Sequence, residues 1–401
     1  MSIKRKIISA VVAAAIAVTS AVSLAGCANV SYAYVIDGES IPAGVYILYS
    51  GYAMSDARSL LAEEQPDLDT TAEGFDYYDQ TVSGMSFADY VKQETVNYCK
   101  RYVAINRMFD ELGITFDSTE QENINDNINA QWDYSVADWT TYLPYLKGFS
   151  TLGDYYQSIG VAKSSYREVM LTGTKSSQIF TYYYGEGGVE EVPRSEIEDY
   201  VEENYTLARY FSISLKDAEG ELIEDGNELA VLEDIANGYV DELNNGGSYA
   251  EVYAKYDKHF NSSDEDEDEE GEEEHEHEDS EYDRIISATS TSPSEEFIEA
   301  LFKQDYGTAA LFKADTYYYV VQRLDITENE EYVDDYKDTA LDALKAEELD
   351  GVYEAKYADY TVAANNSAPD YARQQAANAV QGLTTLSSIQ YYSYYSSLFS
   401  Q

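Results

Sequence analysis

The chain has 401 residues, room for two or three domains of ~100–200 residues each. It carries 25 Lys and Arg against 76 Asp and Glu, a formal net charge of −51. Such a field repels a phosphate backbone and an anionic lipid surface, which excludes a nucleic-acid binder working by phosphate neutralisation. Hydrophobic residues make up 44% of the chain, enough for sizeable cores and too many for a wholly disordered acidic protein. The 41 Tyr supply apolar area with a polar tip, suited to wet interfaces and to grooves for extended chains.

Lys4, Arg5 and Lys6 form a basic stretch, and an apolar stretch runs from Ile7 to about Leu24, the pattern of a secretory signal. It ends in Leu24, Ala25, Gly26 and Cys27, which resembles a bacterial lipobox. That resemblance implies a signal peptide over 1–26, cleavage before Cys27 and diacylation of its thiol. The protein would then be lipid-anchored on the outer face of the cytoplasmic membrane, since two acyl chains hold where one does not. With Cys99 the only other cysteine, a disulfide framework and zinc-finger spacing are excluded, and Cys99 reads as a small buried hydrophobe in a helix.

Residues 27–33 read as a tether. Tyr34–Pro42 reads as a strand, an Asp37-Gly38 turn and a helix start with Pro42 in its first turn. A helix of roughly 20 residues follows, then a polar loop over 65–84. Ser86 caps a long amphipathic helix that stops at Gly113. Ser118 with Gln121 suggests a capping box for a helix from 119 to about 135, and further helices are expected near 151–158 and 163–184.

Ser195 with Glu198 suggests the cap of a short helix to about Asn204. Leu207–Leu215 alternates as a strand. Helices are expected over about 227–244 and Ser248–Tyr256. Residues 264–283 then carry 15 acidic residues and no Lys or Arg, a run that reads as a solvated, expanded loop. A helix over 294–304, an apolar run over Thr308–Phe312 and a strand over Thr316–Leu324 come next, followed by one long charged helix at about 329–361 and a polar helical segment from about 368.

This order resembles the extracytoplasmic foldases of the PrsA and SurA type, in which a helical chaperone domain carries an inserted parvulin (PpiC-type) prolyl isomerase domain. Val35–Ile41 looks like the opening of that family. Ala236–Tyr256, Phe297–Gly307 and Tyr318–Asp325 look like parvulin segments. The resemblance implies an α+β fold: a mainly helical domain over 34–190, an inserted parvulin-like β-α domain over 191–326 with a disordered acidic loop over 258–284, and C-terminal helices over 327–401 that return to the helical domain. It implies a binding cleft around Phe211, Ile213, Phe297, Leu301 and Tyr319. The two histidines that parvulins place across this cleft fall here on Phe211 or Ser212 and on Tyr319. Prolyl isomerisation needs a cleft that favours the twisted amide over the planar one rather than proton transfer to a leaving group. The expected activity is therefore weak or absent, with no catalytic residue assigned.

The three histidines are His259, His275 and His277. His275 and His277 lie in the acidic run, which has no apolar residues to hold a rigid metal shell, so no metal or other cofactor is expected. Asp266, Asp268, Glu270 and Gly271 mimic a calcium loop, but its twelfth position is His277. A Ser-His-Asp triad, a P-loop and a dinucleotide fingerprint are all lacking. The expected partners are unfolded secreted proteins, held by a membrane-anchored folding factor. The alternative from another class is a solute-binding or surface-interaction lipoprotein without chaperone activity.

Overall fold

The computed structural model describes residues 31–72, 74–137, 146–217, 219–261 and 277–365. The expected signal peptide, Cys27, the histidine pair's His275 and the Tyr-rich end therefore lie outside the described residues, as does the helix expected from 368. In chain order the elements are β1 (Tyr32–Ile36), β2 (Glu39–Pro42), α1 (Ala43–Glu64), β3 (Thr81–Val82), β4 (Met85–Ser86), α2 (Phe87–Leu112), α3 (Ser118–Trp132), α4 (Leu152–Ser158), α5 (Lys163–Tyr184) and α6 (Arg194–Asn204). There follow β5 (Tyr205–Ser214), α7 (Gly226–Asn244), α8 (Tyr249–Phe260), β6 (Arg284–Ser287), α9 (Glu295–Phe302), β7 (Ala309–Lys313), β8 (Tyr317–Leu324), α10 (Glu330–Asp335), α11 (Lys337–Tyr357) and β9 (Val362–Ala364). The protein is α+β. The described residues up to 183 together with those from 347 form one compact unit, and those within Tyr184–Ala346 form a second.

In the first unit β1 pairs antiparallel with β2 through the Asp37-Gly38 turn and, on its other edge, with β9. The turn is held by Arg107, which donates to the Asp37 carboxylate at 2.5 Å and to its carbonyl at 2.8 Å. Several tyrosines of this unit are core: Tyr34, Tyr46, Tyr49, Tyr155, Tyr156 and Tyr166 are buried with Ile36, Val103 and Trp132. Burial pushes the phenols of Tyr46 and Tyr49 and the Cys99 thiol well up, so none carries charge at neutral pH.

Ser86 accepts from the Asp89 amide and Gly113 closes α2 at φ +70, as expected. Other boundaries differ. The capping box of α3 uses Asp117 and Glu120, not Ser118 and Gln121: the Asp117 carboxylate accepts from the Thr119 and Glu120 amides, and Glu120 accepts from the Asp117 amide. Pro193, not Ser195, precedes α6, and Pro42 is the residue before α1 rather than within its first turn. The long helix expected at 329–361 is two helices. Asn329 caps α10, which ends at Tyr336, and the chain restarts as α11. The Tyr336 ring lies 4.1 Å from that of Tyr205, a contact that a continuous helix would have to reposition.

The second unit is built on an antiparallel sheet of order β6-β5-β8-β7. One face packs on α7 and α8: Phe211, Ile213, Tyr318, Val320 and Ala309 meet Ala236, Leu243, Tyr249, Val252 and Tyr256. On the other face Ala208 and Val321 meet Phe297, Ile298 and Leu301 of α9. The acidic loop expected over 258–284 is bounded more tightly than its composition suggests. α8 runs to Phe260, and residues 279–282 form a 3-10 turn leading into β6. Asp279 accepts from Ser248 Oγ (2.7 Å) and from the Ala250 amide (2.9 Å) at the start of α8, and Arg209 of β5 bonds both Asp279 (3.2 Å) and Asp283 (2.6 Å).

Gly153 has a packing reason. A Cβ there would run into the indole of Trp132, which is itself enclosed by the rings of Tyr156 and Tyr166. Gly→Ala in an ordinary helix gains roughly 1 kcal/mol. Here the expected sign is reversed: Gly153→Ala should lower stability by about 1–3 kcal/mol, read as a fall in the urea midpoint.

Candidate functional site

The alternation of β5 and β8 decides which side chains can meet a ligand. The register pairs Phe211 with Val320, Ser212 with Tyr319 and Ile213 with Tyr318. Phe211 and Ile213 therefore face α7 and α8, whereas Tyr319 faces the side of α9. The five residues expected to line one cleft are thus split across the sheet. Phe211 and Ile213 are 4% and 1% exposed in one core, and Phe297 and Leu301 are each 1% exposed in the other. Of the five, Tyr319 is the half-buried one.

What the structure does assemble around Tyr319 is an aromatic shelf. The Tyr319 ring lies 5.1 Å from Phe297, 5.9 Å from Tyr317, and 6.3 Å from both Phe312 and Tyr210. Phe297 is 5.3 Å from both Tyr210 and Phe312, and so forms the buried floor. Tyr210, Phe312, Tyr317 and Tyr319 are half-buried and supply the surface. Pairs at these separations contribute about 0.5–1.5 kcal/mol each beyond area burial, which holds the rings as one surface. Desolvation pushes the Tyr319 phenol up, so it presents a neutral hydroxyl. Ser212 and Tyr319 form the cross-strand pair on this face; the family resemblance puts its two histidine positions on Phe211 or Ser212 and on Tyr319.

The shelf exists because α9 is held in place at one end of the sheet. Ser294 caps its start, accepting from the Phe297 amide at 3.2 Å. At its end the buried Arg323 of β8 donates Nη1 to the carbonyls of Phe302 (2.7 Å) and Gln304 (3.1 Å), Nε to Thr206 Oγ1 (3.0 Å) and Nη2 to the Tyr306 hydroxyl (3.1 Å). A guanidinium thus satisfies carbonyls that a helix end leaves without partners and meets the negative end of its dipole. Tyr306 in turn donates to Glu202 at 3.1 Å. Beside this clasp lies an open pocket of about 330 Å³ lined by Asp199, Glu202, Glu203, Tyr306 and Arg323.

Arg284 of β6 extends the shelf. It pairs in the ladder with Ala208, on the α9 side, and its guanidinium lies 4.8 Å from the centroid of Tyr210. Sequence reading missed Arg284 because β6 follows directly on the acidic run. It also missed Tyr210, Phe312 and Tyr317, whose signal is the odd-even phase of each strand.

No family model matches the sequence, and no curated protein matches it. Among solved structures, foldase protein PrsA from Lactococcus lactis matches at 14% identity and TM-score 0.30, over 86% of this chain and 98% of that one. PrsA from Streptococcus pneumoniae matches at 14% identity and TM-score 0.23, over 72% and 90%. PrsA from Bacillus subtilis matches at 13% identity and TM-score 0.20, over 73% and 87%. Superpositions this loose do not by themselves assign a fold or a function. No helix among the described residues is long and apolar enough to cross a membrane.

The Asp279 anchor sets an acid-sensitive joint beside this site. Burial alone would raise its carboxyl. The Ala250 amide, the Ser248 hydroxyl, the Tyr249 amide and the Arg209 charge outweigh that and hold it below the ordinary carboxylate range. A lowered folded value means stabilisation that is present above the unfolded pKa, near ~3.9, and lost as pH falls through the folded one. Asp279→Asn is therefore expected to flatten the decline of the urea midpoint below about pH 4 relative to the parent chain.

Proposed function

We propose that this protein is an extracytoplasmic folding factor, anchored through Cys27, that holds unfolded secreted chains on the aromatic shelf of its second unit. The observation that carries the reading is the half-buried surface of Tyr210, Phe312, Tyr317 and Tyr319 over the Phe297 floor. Rings of this kind contact apolar side chains along an extended chain at low entropic cost, and their hydroxyls tolerate the polar residues between. Such a surface binds by composition rather than by sequence, which suits many clients. The foldase-like order of sequence segments, with a lipobox-like Leu24-Ala25-Gly26-Cys27 ahead of them, supports the same reading.

Binding is the activity this shelf favours. The resemblance puts the parvulin imidazoles on Phe211 or Ser212 and on Tyr319, none of them a histidine, so the shelf offers apolar contact and lacks the groups that order a parvulin cleft's hydrogen bonds. Prolyl isomerase turnover is accordingly expected to be weak or absent, and the parvulin-like region over 191–326 serves as a holding surface. The domain scheme inferred from sequence, with a helical region over 34–190 and a C-terminal return over 327–401, is kept as part of this proposal.

The test is aggregation of a chemically unfolded secreted protein, followed by light scattering, with the mature chain carrying Cys27→Ser. Suppression near equimolar ratio is expected. The triple variant Tyr210→Ser, Tyr317→Ser, Tyr319→Ser is expected to require roughly tenfold more protein for the same effect, a loss of about 1.4 kcal/mol. Equal suppression by both, or none by either, would overturn the assignment to the shelf. Separately, Cys27→Ser in cells should move the protein from the membrane fraction to the soluble one; continued sedimentation with membranes would remove the anchor from this account.

A further inference from the structure

The shelf has a charged end that the overall acidity of the chain conceals. Arg284 is exposed, and among the described residues its guanidinium makes no ion pair; it lies over the Tyr210 ring, and its charge also acts on the Tyr249 phenol. Two acidic residues near it in the chain are committed elsewhere. Asp283, its neighbour in the chain, is nearly buried and held by Arg209 Nε at 2.6 Å. Asp279 is held by Arg209 Nη1 at 3.2 Å and by the start of α8. Strand alternation places Arg209 on the α7–α8 side of the sheet and Arg284 on the shelf side. Arg209 is matched by Asp279 and Asp283, so these two carboxylates do not neutralise Arg284, although Glu278 and Glu281 lie just ahead of it in a chain that stands at −51. At physiological salt the Debye length is about 8 Å, so the Arg284 guanidinium acts on a ligand mainly at contact.

Resting on the reading of the shelf as a client-binding surface, we propose that the preferred occupant is an extended segment bearing a carboxylate close to an aromatic or aliphatic side chain. The ring of that segment lies on Tyr210 and Tyr319, and its carboxylate takes the planar donors of Arg284 in a bidentate contact. Tyr210 links the two: its centroid is 4.8 Å from the Arg284 guanidinium and 6.3 Å from Tyr319. A strand advances about 3.3 Å per residue, so the carboxylate belongs two or three residues from the apolar anchor. This preference runs opposite to the basic clients that net charge alone would select.

The experiment is fluorescence anisotropy with the mature Cys27→Ser chain and three labelled peptides. The parent is Ser-Gly-Glu-Ala-Phe-Pro-Leu-Gly-Ser; the other two replace its Glu by Gln or by Lys. The Glu peptide is expected to bind about three- to fivefold more tightly than the Gln peptide at low salt, with the Lys peptide weakest, and the gap should narrow as salt is raised. In Arg284→Ala the Glu and Gln peptides should bind alike, and Arg284→Lys should restore part of the difference. Equal binding of Glu and Gln peptides by the parent chain, or a Glu preference that survives Arg284→Ala, would overturn the inference while leaving the shelf intact. Failure of all three peptides to bind the parent chain would instead overturn the reading of the shelf itself.

Discussion

The second unit depends on a mismatch of lengths. β5 has ten residues and spans about 33 Å, whereas the helix laid across its outer face, α9, has eight and spans about 12 Å. The opposite face is covered by two longer helices, α7 and α8, over a buried core. One end of the sheet's outer face is therefore sealed by Phe297, Ile298 and Leu301, and the remainder is left to side chains that tolerate water on one side. Tyrosine is the residue for that duty. The shelf follows from where α9 stops.

Arg323 makes that stopping point sharp. A buried cation is costly unless its donors are satisfied. Here four donor contacts go to two helix-end carbonyls, a threonine hydroxyl and a tyrosine hydroxyl. The clasp fixes the end of α9 to β8, and through Tyr306 and Glu202 it reaches α6. The same charge therefore serves the sheet, the helix and the loop that joins them.

How much of this could be read in advance varies with the physics of each element. β5 and β8 announce themselves by alternation, and α2 by Ser86 and Gly113. β9 is three exposed residues whose only reason to be extended is the free edge of β1, which no local pattern records. β6 is hidden behind an acidic run, and Arg209, far away in sequence, holds the residues leading into it. The proposed cleft failed on phase: Phe211 and Tyr319 are both aromatic strand residues, but a ladder that pairs Ser212 with Tyr319 puts them on opposite faces. Register is a property of two strands together, so one strand's composition cannot supply it. The abundance of tyrosine was equally ambiguous, since in the first unit some of the described rings are core and others are half-buried or exposed.

The pairing of β1 with β9 also imposes an order of events on synthesis. Val35 meets Ala363 across that ladder, so the first unit cannot complete its sheet until nearly the whole described chain has been made. The second unit, Tyr184–Ala346, is one continuous stretch lying between the two parts of the first. A ribosome delivers it whole while the first unit still lacks its third strand. Closing β9 onto β1 then brings together ends separated by more than three hundred residues, but a second unit already folded would act as a compact bridge and shorten the effective loop. The inserted unit thus stands to serve as a folding aid to its own chain.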